Sequence, residues 1–152
     1  MLQKLRMRAA ARLSGDREAG FTLVELLVVM LILGLLAAIA IPSFFNQRDK
    51  AKDADAKAGV RTAQTAIETY ATDNGGSYTG ADAADLQDIE STLNDVNLSA
   101  VTPTASGDGY TITATSTTGN TFSITRANTG ITTYTCDTDG EDGCPADGTW
   151  GD

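Results

Sequence analysis

A glutamate inside an apolar stretch makes the clearest chemical demand in this sequence. Residues 21–41 read FTLVELLVVMLILGLLAAIAI, and their only charged side chain is Glu25. A carboxylate at the centre of a membrane helix costs about 2.5–3.5 kcal/mol, and less near the interface, so it needs a cationic partner. Cutting the Gly20–Phe21 bond would supply one by freeing an α-amine at Phe21, and glycine leaves the backbone open to a protease. The alternative is that Glu25 lies at the membrane interface and is tolerated there without a specific partner.

The composition excludes several kinds of catalytic and metal site. The chain has 152 residues, two Cys and no His. A Ser-His-Asp triad, a Cys-His pair and His-ligated zinc are therefore impossible, and two thiolates are too few for an all-cysteine zinc site. The net charge of -9 makes the chain a poor nucleic-acid binder unless that charge is strongly segregated. We expect no enzyme activity, no cofactor and no direct contact with nucleic acid.

Charge is distributed unevenly around the apolar stretch. Residues 1–20 hold five basic and two acidic side chains, residues 42–61 mix both signs, and beyond Arg61 one basic residue accompanies 14 acidic ones. The 21 apolar residues would form a helix of about 31 Å, close to the roughly 30 Å of a hydrocarbon core. A buried soluble helix is the alternative, but such helices are usually amphipathic, whereas this one is apolar all round. We expect a membrane-competent helix with its basic end in the cytoplasm.

A cleaved secretory signal peptide is another interpretation of the N-terminus. The basic leader fits it, and Ala38-Ile39-Ala40 resembles an A-x-A cleavage site. The apolar run, however, exceeds the roughly 7–15 residues of a signal-peptide core. A glutamate near the start of the run would also serve no purpose there, so we favour a helix that is retained.

The motif at this boundary resembles the class III signal of type IV pilins and their pseudopilin relatives. It is the segment Gly20-Phe21-Thr22-Leu23-Val24-Glu25, behind a basic leader and ahead of an apolar run that ends at Ile41-Pro42. The resemblance implies that a membrane prepilin peptidase removes residues 1–20 by cutting after Gly20, and methylates the amine of Phe21. It also implies that Glu25 pairs with the Phe21 amine of a neighbouring subunit, which would favour one axial register. The 20-residue leader is longer than in many type IV pilins, which leaves the branch of the family open.

The resemblance implies a structural role for the chain. It would be a subunit of a type IV pilus-like filament that polymerises through its hydrophobic N-terminal helix. Its partners would be further copies of itself, the prepilin peptidase, and a pilus assembly platform with its ATPase. The subunit would wait as a single-pass protein in the inner, or cytoplasmic, membrane and then enter an extracellular pilus, from which adhesion, motility or DNA uptake would follow.

Two alternatives to this role stay open. One is a pseudopilin of a type II secretion system, and the other is a minor tip pilin with an adhesin or DNA-uptake role. The small, plain head favours a major subunit.

One long helix is expected over residues 21–73, with a transmembrane half at 21–41 and an amphipathic half at 42–73. In the second half, apolar residues recur at steps of 4, 3, 4 and 3: Ala56, Val60, Ala63, Ile67 and Tyr70. Asn74-Gly75-Gly76 supplies a C-terminal stop. We expect this stripe to pack on the head.

The long helix contains two residues that disfavour helix, and it carries a run of charged side chains. Gly34 is a weak helix former, and Pro42 removes a backbone hydrogen bond. The family resemblance implies local melting here in an assembled filament, and a simple kink is the alternative. The mixed charges at 48–61 are typical of a solvated face, with intersubunit salt bridges as a second interpretation.

The head, residues 74–152, starts with a connecting region at 77–105. Apolar residues at helical spacing predict a short helix at 83–95 inside it: Leu86, Ile89, Leu93 and Val96. Asp82 is placed to cap that helix.

The rest of the head has the alternation of β-strands. Apolar and hydroxyl side chains alternate in three runs, at 109–116, 120–127 and 130–136. Turn residues separate the runs, which predicts a three-stranded antiparallel meander with one face on the long helix. The fold class is therefore α+β, and it matches the type IV pilin fold.

The two cysteines lie in the part predicted to be exterior. Cys136 and Cys144 are eight positions apart, and in an oxidising compartment this predicts a disulfide. Closing so short a loop would stabilise the fold by about 2–3 kcal/mol. The family resemblance also supports a C-terminal disulfide-bounded loop.

The loop between the cysteines is rich in carboxylates: Asp137, Asp139, Glu141 and Asp142. Hard cations bind clustered oxygens, and some pseudopilins bind calcium in a C-terminal loop. The spacing departs from the EF-hand pattern, so we favour a solvated acidic loop and keep calcium as a weak candidate. Trp150 would either pack on the head or lie exposed as a contact.

Overall fold

The computed structural model describes residues 20–137 and 139–151, and the chain divides into two units between Ile41 and Pro42. Most of the predicted leader, residues 1–19, lies outside the described residues. Helix α1, Leu23–Asp73, contributes residues to both units.

The first unit presents an apolar helical segment with its side chains exposed. Every large apolar side chain from Phe21 to Ile41 is exposed, from 84% at Phe21 to 48% at Val28. By length and composition, α1 is the one helix in the described chain that is suited to cross a membrane. The helix continues through Gly34 and Pro42, while local melting in a filament remains a prediction.

The second unit packs the rest of α1 against an antiparallel sheet. The sheet has four strands in the order β1-β2-β3-β4: Leu98–Pro103, Tyr110–Thr115, Thr121–Arg126 and Thr132–Cys136. Alternate residues of β2 and β3 point inward and are buried, as their period-2 pattern predicts. This meander, together with the long helix, confirms the α+β pilin fold.

The core joins the helix stripe to the inner face of the sheet. Four of the five predicted stripe residues are buried, and Tyr70 is half-buried against them. They pack with the inward side chains of the sheet: Tyr110, Ile112, Ala114, Phe122 and Ile124. Gly59 lies where α1 passes the segment before β1, because a Cβ there would stand 2.6 Å from Cγ1 of Val96.

Strand β1 corrects the predicted connecting region and the predicted strand count of three. On β1, Leu98 pairs with Ala114 and Val101 pairs with Ile112. The two partners on β2 are two residues apart, whereas Leu98 and Val101 are three apart because the register shifts between Leu98 and Ala100. This bulge removes the strict alternation that marks a strand in a sequence.

The short helix predicted at 83–95 is two elements. Helix α2 covers Ala83–Ile89, and a 3-10 helix covers Ser91–Asp95. Between them Glu90 is extended, and its carboxylate accepts a hydrogen bond from the Thr92 N–H, which starts the second helix. The predicted cap at Asp82 is confirmed, since its side chain accepts from the N–H groups of Ala84 and Asp85.

Candidate functional site

Glu25 sits at the start of α1 and is bonded to Thr22. The carboxylate accepts 2.8 Å hydrogen bonds from both the backbone N–H and the hydroxyl of Thr22. The Thr22 hydroxyl in turn accepts from the N–H of Glu25 at 3.2 Å. This reciprocal pair is a capping box, in which a Thr and a Glu three residues later satisfy free donors at a helix start. The Thr-x-x-Glu spacing is the sequence signal from which this cap could be predicted.

The predicted cleavage bond lies just before this cap. Gly20 and Phe21 are exposed and precede the first helical residue. A Cβ built at Gly20 would meet no described atom within 4 Å, so the structure itself imposes no need for glycine there. Any requirement for Gly20 would therefore come from the enzyme that cuts the chain.

The predicted disulfide is present, between Cys136 at the end of β4 and Cys144. Their Cα atoms are 5.9 Å apart. Within the loop, the Asp137 carboxylate accepts a hydrogen bond from the Thr121 N–H at 2.7 Å, while Asp139, Glu141 and Asp142 are exposed. Across the described ranges, no three His, Cys, Asp or Glu side chains form a group that could hold a metal ion.

Asp53 corrects the expectation that the charges at 48–61 form a solvated face. Its side chain is fully buried. Its Oδ1 accepts from the Thr118 hydroxyl at 2.5 Å, and its Oδ2 accepts from the Asn120 side-chain amide at 2.8 Å and the Gly143 N–H at 2.9 Å. One carboxylate thus joins α1 to the β2–β3 turn and to the disulfide-bounded loop.

The pKa of Asp53 reflects this surrounding of donors. Burial alone would raise the pKa of the carboxyl, because it penalises the charged form. Hydrogen bonds from three side chains and from the Gly143 N–H outweigh burial, so the pKa lies below its ordinary value. The side-chain donors are Ser116, Thr118 and Asn120. The group is therefore an ionised anchor at neutral pH.

Lys57 lies one helical turn after Asp53 and reaches the same loop. Its ammonium donates a 2.5 Å hydrogen bond to the carbonyl oxygen of Gly143. It also lies 5.1 Å from the ring centre of Phe122 and 5.8 Å from that of Trp150. Burial lowers the pKa of Lys57, the Asp53 charge raises it, and the Arg61 charge lowers it, with a net decrease.

Trp150 packs on the head, which decides between its two predicted placements. Its ring meets Tyr134 and Phe122 edge to face, with centroids 5.3 and 6.0 Å apart. Its indole N–H donates to the carbonyl oxygen of Thr135 at 2.8 Å. The guanidinium of Arg61 lies 5.3 Å from the indole ring, so a cation and an aromatic ring share this edge of the head.

A second carboxylate cluster centres on Glu68. It accepts hydrogen bonds from the hydroxyls of Tyr78 at 2.6 Å and Tyr110 at 2.9 Å, and Arg126 lies 3.6 Å away. Burial, and then Glu68, raise the pKa of Tyr78 to about 12. Burial and Glu68 also raise the pKa of Tyr110, so both phenols stay protonated and act as donors, which indicates a structural cluster.

Two family models together cover most of the chain. The prokaryotic N-terminal methylation motif matches residues 15–41, which include the Gly20–Phe21 bond and Glu25. The model described as "Type IV minor pilin ComP, DNA uptake sequence receptor" matches residues 42–140. The chain belongs to this family of type IV pilins.

Similar proteins come from both pili and secretion systems. Type II secretion system core protein G of Pseudomonas aeruginosa is 40% identical over 58 residues, or 38% of this chain and 41% of the relative. Type IV major pilin protein PilA of Myxococcus xanthus is 43% identical over 54 residues, or 36% of this chain and 24% of the relative. Competence protein ComGC of Halalkalibacterium halodurans is 36% identical over 66 residues, or 43% of this chain and 65% of the relative.

The matched segments are partial in every one of these pairs. The chain spans less than two thirds of the length of each of these three relatives. No solved structure is a significant match to the chain. The prepilin motif and the apolar helix indicate membrane anchoring before assembly into a filament.

Proposed function

We propose that this type IV pilin is a structural subunit of a pilus-like filament and polymerises through its apolar N-terminal helix. The observation that carries the proposal is the exposed apolar surface of residues 21–41, whose single charge is held in a cap at the helix start. Exposed apolar area of this extent is unfavourable in water. It has to be covered by lipid before assembly and by other copies of the helix afterwards.

Glu25 gives this assembly its register in our proposal. In the free subunit, the Thr22 cap supplies two hydrogen bonds to the carboxylate. Cleavage after Gly20 would create an amine at Phe21, and methylation would leave that amine basic. In a filament the carboxylate would pair with the amine of a neighbouring copy, because either charge alone is costly in an apolar bundle.

Cleavage at Gly20 is the step that a single substitution tests most simply. We expect Gly20→Phe to keep the leader attached, since the chain itself tolerates a side chain there and only the peptidase would reject it. Intact-mass measurement of membrane fractions reads this directly. Gly34→Ala is the matched control, because its Cβ also meets no described atom within 4 Å, and it should be processed normally. A trimmed Gly20→Phe chain would contradict the proposed cleavage.

A minor pilin that contacts DNA is the second candidate, and the description of the family model over residues 42–140 favours it. The exposed Arg61 on α1 lies beside Trp150 of the head, and this pairing of a cation with an aromatic ring suits a polyanion. The surrounding chain is acidic, however, which repels phosphate. For a purely structural subunit we expect no DNA retention at any salt concentration.

Three measurements separate these candidates from each other and from a secretion pseudopilin. Binding of duplex DNA that weakens with salt and is lost in Arg61→Gln would favour the DNA-contacting pilin. The share of this chain in purified filaments separates a major subunit from a minor one. Short fibres confined to the cell envelope, rather than long surface filaments, would favour the secretion pseudopilin.

A further inference from the structure

We propose that the ammonium of Lys57 is a built-in cation that holds the disulfide-bounded loop on helix α1, so that the loop closes without a metal ion. This goes beyond the proposed function and does not depend on it, because it concerns the isolated subunit. The loop carries four carboxylates between Cys136 and Cys144, and such a segment needs a compensating positive charge to stay compact.

The contacts that seat the loop converge on one residue, Gly143. Its N–H donates to Asp53 at 2.9 Å, and its carbonyl oxygen accepts from Lys57 at 2.5 Å. Asp53 and Lys57 are four residues apart on α1, so they lie on one face of the helix. A carboxylate and an ammonium therefore hold the two polar groups of the same residue, each with the charge that matches it.

Gly143 has to be glycine for this arrangement. A Cβ at position 143 would stand 2.5 Å from Cβ of Asp53, which is closer than real side chains come. Because glycine has no side chain, the backbone of the loop packs directly against helix α1 at Asp53. The adjacent Cys144 then fixes the loop covalently to the end of β4.

The surroundings of the ammonium are those of a cation site. A carbonyl oxygen bonds it directly, and the rings of Phe122 and Trp150 lie within cation–π distance. The charged groups that act on it are Asp53, which stabilises the cation, and Arg61, which opposes it. Lys57 thus already supplies a positive charge at the inner side of the loop, and the exposed Asp139, Glu141 and Asp142 are left facing solvent.

The rate at which dithiothreitol reduces the Cys136–Cys144 bond measures how often the loop opens. In the full chain purified in detergent, we expect Lys57→Met to raise this rate about tenfold, because a partly buried charge-assisted hydrogen bond is lost. Lys52→Met is the matched control, since Lys52 is on the same part of α1 but pairs with the partly exposed Asp49, and its loss should leave the rate unchanged. Equal rates in the two variants would overturn the proposal.

Metal dependence is tested on the unaltered chain. We expect the reduction rate and the hydrogen exchange of the Gly143 amide to be the same in calcium and in a chelator. A slower rate or stronger protection in calcium would show that a metal holds the loop, and would overturn the proposal even if Lys57→Met failed to fold. Neither outcome bears on filament formation, so the two proposals fail separately.

Discussion

Two carboxylates on the same helix are held in different ways. Glu25 lies in the exposed apolar unit, and its hydrogen-bond partner is three residues away in the chain. Asp53 is fully buried where α1 packs on the head, and it accepts hydrogen bonds from residues 65, 67 and 90 positions away. The Glu25 carboxylate can exchange its local bonds to Thr22 for a bond to another cation or donor. Removing the buried Asp53 carboxylate, in contrast, leaves several hydrogen-bond donors unsatisfied.

The difference suggests a division of labour along α1. In residues 21–41 the one charge, Glu25, is held by local hydrogen bonds to Thr22, which another partner can replace. This suits a surface that contacts lipid first and protein later. The second part fixes its charges in contacts with the sheet and the loop, which suits a head that has to keep its shape.

Removing the exchangeable carboxylate should have the largest effect. We expect Glu25→Ala to abolish or strongly reduce filaments while cleavage after Gly20 stays intact, because the axial register loses its charge pair. Electron microscopy and an intact-mass measurement of the same cells check this. Glu90→Ala is the control, since Glu90 is a local cap in the head and should leave filament yield unchanged. A normal yield of filaments from Glu25→Ala would contradict the proposed role of Glu25 in assembly.

Removing the buried anchor should destabilise the head without affecting the leader cut. We expect Asp53→Ala to lower the free energy of unfolding by about 3–5 kcal/mol, because the donors around this buried carboxylate lose their acceptor. Asp55→Ala, an exposed position two residues on, should stay within about 0.5 kcal/mol of the wild type. Urea unfolding of both variants measures the difference, and equal stabilities would show that Asp53 is not an anchor.

The disulfide should contribute less than the anchor. Replacing Cys136 and Cys144 with serine should lower the free energy of unfolding by about 2–3 kcal/mol, since the loop they close is short. Combining this change with Asp53→Ala should cost less than the sum of the two effects, because both hold the same loop. Full additivity would mean that the anchor and the disulfide act on separate parts of the head.

The pH dependence gives the smallest effect. The pKa of Asp53 is lower in the folded than in the unfolded chain, so its stabilisation is complete above its unfolded value of about 3.9 and is lost as the pH falls through the folded value. The stability gap between the wild type and Asp53→Asn should therefore narrow below about pH 4. Urea unfolding over a pH series checks this, and a constant gap would contradict it.

The sequence could predict the features that depend on neighbouring residues, but not those that depend on contacts between residues far apart in the chain. The helix stripe, the Asp82 cap, the three alternating strands and the disulfide all depend on short-range patterns, and the structure confirms them. The bulge on β1 hides that strand's alternation. Asp53 and Lys57 looked like ordinary surface charges because nothing near them in the chain shows that the β2–β3 turn and Gly143 fold onto them.

The measurement that tests the central proposal most directly is mass spectrometry of material sheared from the cell surface. A filament subunit predicts a peptide that begins at Phe21 with a methylated amine, and a chain from which residues 1–20 are gone and in which Cys136 and Cys144 are joined. Absence of the chain from the sheared fraction, or a chain that still carries the leader there, would contradict the proposal.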